Sequence, residues 1–115
     1  MKTIKLILIC CFGLILQSCV EEADIQIQNK ITAVKIVDVR YGDNYIATEL
    51  LPGETSEQLK IKDYDGEFPM REKISFKMTA NNKSIYLETE QFYVLDDEDE
   101  LLIVLTDDTK VNNPN

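Results

Sequence analysis

Residues 72 to 80 read EKISFKMTA, and this stretch decides the fold. Ile74, Phe76, Met78 and Ala80 fall on one side of a period of two, with Lys73, Ser75, Lys77 and Thr79 on the other. Strict alternation of this kind defines a β-strand with one buried face. Wound as a helix, the same four apolar residues would be scattered round the cylinder.

Working outward, the neighbouring segments repeat the pattern. Asn81 and Asn82 supply residues that tolerate the left-handed backbone of a tight hairpin. Ser84–Glu90 then returns, with Ile85 and Leu87 opposite Tyr86 and Glu88. Phe92–Leu95 continues that strand after an irregularity or forms a short crossing piece. Upstream, Glu57–Tyr64 alternates, with Leu59 and Ile61 inward, and Tyr45–Leu51 forms a strand ended by Pro52 and Gly53, a type II turn signal. In Ile31–Tyr41, Val34 and Ile36 have the opposite parity to Val37, Val39 and Tyr41. That phase change predicts a bulge or a strand buried on both faces, and Gly42, Asp43 and Asn44 turn the chain after it. Leu101–Thr106, LLIVLT, is apolar as far as Leu105 and reads as a central strand. Turn signals at intervals of about ten residues predict an all-β fold, a small antiparallel β-sandwich of six or seven strands over residues 30–106. Residues 107–115 read as a polar, flexible tail.

The first 19 residues, MKTIKLILICCFGLILQSC, follow another logic. Lys2 and Lys5 precede an apolar run from Ile4 to Leu16, too short for the roughly 20 residues of a bilayer crossing but of signal-peptide length. Leu16, Gln17, Ser18 and Cys19 resemble the lipobox of bacterial lipoproteins, although Gln17 departs from that family's small residue. The resemblance implies a signal peptide over residues 1–18, cleavage between Ser18 and Cys19, and acyl chains on Cys19. Two or three acyl chains hold a protein stably on a bilayer. Cys10 and Cys11 leave with the signal, so no disulfide framework remains. Residues 19–29 read as the lipidated cysteine and an acidic tether, with order expected to begin near Ile25 and Ile27. Glu21, Glu22 and Asp24 are similar to the surface-export signal of Bacteroidetes-type lipoproteins. The expected location is therefore the outer membrane, lipid-anchored, with the cell surface as the further possibility.

Cleavage leaves 97 residues, one small domain. Lys2 and Lys5 are lost while all 21 acidic residues stay, so ten basic residues face 21 acidic ones and the formal charge is −11. Such a surface excludes a nucleic-acid partner, whose phosphates need a basic footprint. The order of segments resembles the immunoglobulin-like or transthyretin-like β-sandwich lipoproteins of Bacteroidetes, including a Pro-Gly-Glu-Thr-Ser hinge at residues 52–56. That resemblance bears on fold far more than on activity.

The chain contains no histidine, which removes the commonest general base and every triad built on it. No glycine-rich phosphate loop or zinc ligand set is present. The expectation is therefore a non-catalytic module, with no cofactor, that engages a protein or glycan partner. The alternative is a calcium-dependent adhesion or binding module. Its ligands would be Asp96, Asp97 and Asp99, joined by Asp107 if the strand ends converge. Asp63, Asp65 and Glu67 are spaced like the start of a calcium loop but lack the glutamate at loop position twelve. Tyr41, Tyr45, Tyr64, Tyr86 and Tyr93 are candidates for a glycan platform or, equally, for packing at sheet margins.

Overall fold

The computed structural model describes residues 20–80 and 82–114, and within them the chain is all-β. In chain order the strands are β1 (Glu21–Lys30), β2 (Ile36–Tyr41), β3 (Asn44–Leu50), β4 (Leu59–Asp63), β5 (Met70–Glu72), β6 (Ile74–Ala80), β7 (Lys83–Thr89), β8 (Tyr93–Leu95), β9 (Glu100–Thr106) and β10 (Val111–Asn112). Seven of them are five residues or longer. A three-stranded sheet ordered β4-β1-β9 and a five-stranded sheet ordered β10-β7-β6-β2-β3 form the sandwich, and β5-β8 makes a small third sheet.

Inward residues of both sheets meet in one core. Ala23, Ile25, Ile27, Ile61, Ile103 and Leu105 come from the three-stranded sheet, and Ile36, Val39, Tyr41, Leu50, Ile74 and Phe76 from the other. In the decisive stretch Ile74 and Phe76 are buried and Lys77 exposed, as its alternation requires, while Ser75 on the polar side is buried as well. The phase change in β2 is a bulge: the register of β2 slips against both neighbours, and Asp38 takes φ 51°. The extra residue lets Ile36 and then Val39 and Tyr41 face the core. Leu51 to Glu54 forms the type II turn, with Gly53 at φ 87° and the Glu54 N–H donating to the Leu51 carbonyl at 2.9 Å. Gly42 holds φ 58°, a left-handed backbone that favours glycine, and a Cβ there would stand 2.7 Å from the Glu72 side chain, which would have to shift.

Four expectations are corrected. Residues 21–30 are not a tether but β1, the middle strand of its sheet, antiparallel to β4 and parallel to β9. The period of two in Ala23, Ile25 and Ile27 against Glu22, Asp24, Gln26 and Gln28 produces this, and the many polar residues concealed it. Residues 31–35 are a turn, and the strand starts only at Ile36. β9 is apolar yet stands at a sheet margin, not at the centre. The tail is docked as far as β10, which pairs with β7, and Val111 packs on the core.

Buried polar groups fasten β1 in place. Asn29 is 0% exposed, and its Nδ2 donates to the carbonyls of Val34 at 2.8 Å and Leu50 at 2.9 Å while its Oδ1 accepts from the Ile31 N–H at 3.0 Å. Ser56 Oγ accepts from the Ile27 N–H at 2.9 Å, and the Ser56 N–H donates to the Ile27 carbonyl at 2.8 Å. The 52–56 hinge is thereby stitched to the strand that the core is built around.

Candidate binding surface

Ser18 and Cys19, the expected cleavage and lipidation residues, lie outside the described residues. Only Val20 stands between Cys19 and β1, so no spacer separates the cysteine from the folded domain in sequence.

The acidic run forms the turn between β8 and β9 and is tied to the start of β1. Asp97 Oδ1 accepts from the Glu22 N–H at 3.0 Å, the Glu98 N–H donates to the Glu22 carbonyl at 2.8 Å, and the Asp24 N–H donates to the Asp99 carbonyl at 2.8 Å. Asp99 Oδ2 accepts from the Asp96 N–H and Asp96 Oδ1 from the Asp97 N–H, both at 2.8 Å. These carboxylates cap backbone donors of a turn.

Asp107 does not join them. It follows the other end of the seven-residue β9, roughly 23 Å along an extended chain from Glu100. There it accepts from the Thr32 N–H at 2.8 Å and the Thr32 hydroxyl at 2.6 Å, bonds that hold its carboxyl below the usual aspartate value. The strand ends therefore do not converge as the calcium alternative requires. Asp63 likewise folds its own loop. Its oxygens accept from the N–H groups of Glu67 (2.8 Å), Phe68 (2.8 Å) and Asp65 (3.1 Å), and its pKa is lowered, chiefly by the Glu67 bond. Asp65 and Glu67 point to solvent. Among the described residues no three carboxylate, cysteine or histidine side chains are gathered as a metal site.

The tyrosines make no common platform. Tyr41 is buried, its hydroxyl donating to the Tyr93 carbonyl at 2.8 Å with the Met70 carbonyl 3.3 Å away. Burial first, and the Glu72 carboxylate second, push that hydroxyl up to about 12. Tyr45 lies beneath Arg40, whose guanidinium is 5.4 Å from the ring centre, and Tyr64 is 72% exposed on its own loop. Phe92, not singled out from the sequence, is the more engaged aromatic, with Arg71 at 4.0 Å and Lys73 at 5.0 Å from its ring.

The margin formed by β9 is the feature that sequence reasoning missed. The bond from Asp24 to the Asp99 carbonyl sets the parity of the parallel ladder: the main-chain groups of Leu101, Ile103 and Leu105 face β1, and those of Leu102 and Val104 face outward. The Thr106 N–H, on the outward parity, bonds the Thr109 hydroxyl instead of a strand. No strand pairs with this side among the described residues. The side chains of Leu102 and Val104 are also 50% and 37% exposed, beside Gln26 and Gln28 of β1. A cavity of about 490 Å³ opens next to Val104, lined by Glu90, Gln91 and Tyr93 on one side and Asp108, Thr109 and Lys110 on the other. The sequence signal was present in LLIVLT, whose unbroken apolarity marks two covered faces or an apolar surface.

No protein-family model, curated protein or solved structure matches this chain.

Proposed function

We propose that this protein is a lipid-anchored, non-catalytic binding module of the cell envelope, held to the outer membrane through acyl chains on Cys19 and engaging a protein partner. The observation that carries the binding half of this reading is the open β9 margin, where main-chain groups that no strand among the described residues pairs lie in one row with the exposed Leu102 and Val104. The anchoring half is supported by the Leu16-Gln17-Ser18-Cys19 pattern after an apolar run of signal-peptide length.

The two halves fit each other. With one residue between Cys19 and β1, the acidic end of the sandwich stands against the headgroups. β1 and β9 run parallel from that end, so the open margin leads away from the bilayer and stays accessible. Cells fed a fatty-acid analogue test the anchor. The wild-type chain is expected to take up label and the Cys19→Ala chain to take up none and persist as precursor. Equal labelling of the two, or release of the wild-type protein from membranes by salt alone, overturns it.

A further inference from the structure

We infer that β9 accepts an added strand from a partner, and that this strand is an extended apolar segment flanked at both ends by lysine or arginine. The inference rests on the binding-module reading and names the partner chemistry of its site.

Sheet margins normally carry protection against such pairing, and three margins of this sandwich do. β4 is five residues long and bears Lys60 and Lys62, and β10 is two residues long. Along β3, the exposed Glu49 is paired with Lys35 at 3.1 Å. β9 is seven residues long, and from Leu101 to Leu105 it carries no charge, proline or bulge. Leu102 and Val104 each present an outward N–H and C=O, four main-chain groups that only another strand satisfies in regular geometry. The exposed Leu102 and Val104 side chains supply cross-strand contacts on the outer face.

Charge selects among occupants. Asp96 to Glu100 precede the open stretch, and Asp107 and Asp108 follow it, so it is bracketed by carboxylates. A second copy pairing antiparallel about Ile103 would set Asp99 and Glu100 against Asp107 and Thr106 of its mate, and the surfaces each carry a net charge near −11. Like charges directly opposite repel. A strand with basic residues about seven positions apart meets the same brackets favourably, and it is steered in by the acidic field.

The test uses the full chain in detergent micelles and fluorescein-labelled nonapeptides, read by fluorescence anisotropy at low salt. KRVTITVRK is expected to bind and to weaken as sodium chloride is raised. EDVTITVDE, with the same apolar centre, and KRSTSTSRK, with the same charges, are expected not to bind. Val104→Pro removes an outward donor without touching the ladder to β1, a substitution a margin strand tolerates; it is expected to weaken KRVTITVRK roughly fivefold. Leu102→Lys is expected to weaken it roughly tenfold by setting a like charge beside the peptide. An unchanged circular dichroism spectrum establishes that each variant is folded. Equal binding of KRSTSTSRK, unchanged affinity in folded Val104→Pro, or concentration-dependent dimers abolished by that substitution would each overturn the inference. Cross-linking in cells separates this failure from that of the wider reading. A partner that still cross-links to Val104→Pro through another face leaves the binding module standing and removes the strand-addition site.

Discussion

β1 and β9 are parallel neighbours in one sheet, and their compositions are the reverse of their positions. β1 has four polar residues interleaved with Ala23, Ile25 and Ile27 and is paired on both sides, whereas β9 is apolar from Leu101 to Leu105 and, among the described residues, is paired on one. A strand has two independent kinds of exposure, the faces that carry its side chains and the margins that carry its main chain. Composition reports the faces. Pairing depends on neighbours that may lie anywhere in the chain, so a half-polar strand can be central and an apolar one marginal.

The largest consequence is an asymmetry between equivalent truncations. Ile27 is fully buried, so Ile27→Ala is expected to cost about 2–5 kcal/mol, close to the whole stability of a small domain. Leu102→Ala in β9 is expected to stay within about 0.5 kcal/mol because half of that side chain is already in water. Urea unfolding of residues 20–115 measures both. A chain begun at residue 30 lacks β1 and is expected to show no cooperative transition. Equal costs for the two truncations would show that the outer face of β9 at Leu102 is covered as fully as the inner face of β1 at Ile27.

A second contrast sharpens the comparison within β1 itself. Asn29→Ala leaves the Val34 and Leu50 carbonyls and the Ile31 N–H without their partner in the interior. It is expected to cost about 3 kcal/mol. Gln28→Ala, one residue away on the outer face, is expected to cost no more than about 0.5 kcal/mol. The difference in urea midpoint between the two checks it, and similar midpoints would show that the buried asparagine is not what fastens the strand.

These cases mark where the sequence was legible. Alternation identified β4 and β6, the phase change identified the bulge at Asp38, and Pro52-Gly53 identified its turn, because each is a local consequence of side-chain or backbone geometry. The place of β1 was not read, although Ala23, Ile25 and Ile27 keep a perfect period, since Glu21, Glu22 and Asp24 matched the composition of a tether as well. The β9 margin and the separation of Asp107 from Asp96–Asp99 were not legible at all. Both are set by which strands pair, and nothing within LLIVLT states that its neighbour is a parallel β1 on one side only.

Two carboxylates that face each other across the β1–β4 ladder, Glu21 and Asp63, should also respond oppositely to acid. Asp63 has a lowered pKa, so the stability it contributes is complete above the ordinary 3.8 and is lost as pH falls through the lower folded value. Glu21 has a raised pKa, first from desolvation and then from Asp97, Asp63 and Asp96, so its ionised form opposes folding. Protonation relieves that as pH falls through the raised value toward 4.5. Melting temperature is therefore expected to rise slightly on acidification toward 4.5 and to fall below 3.8. Glu21→Gln should flatten the first limb and Asp63→Asn the second. A second limb unchanged in Asp63→Asn would show that its three backbone bonds do not govern acid unfolding.

The smallest expected effect concerns the acidic turn that separates β8 from β9. Asp96, Asp97 and Asp99 each accept a backbone N–H, and Asp107 stands at the far end of β9 on Thr32. Calcium needs six to eight oxygens converging on one point, whereas these carboxylates are turned toward separate donors: Glu22 of β1 and the turn's own Asp96 and Asp97 at one end of β9, and Thr32 at the other. Their mutual repulsion remains, and any salt screens it. Thermal melts with chelator, with calcium chloride and with sodium chloride at matched ionic strength are expected to give equal small rises for the two salts. A ligand that binds only the folded state adds about 2.7 kcal/mol at a hundredfold excess over its dissociation constant, far more than screening of exposed charges provides. A calcium-specific rise that vanishes in Asp96→Asn, Asp97→Asn would therefore be unmistakable. It would make the turn a cation site and give β9 a metal-dependent neighbour at the end where the partner strand's basic residue is expected to sit.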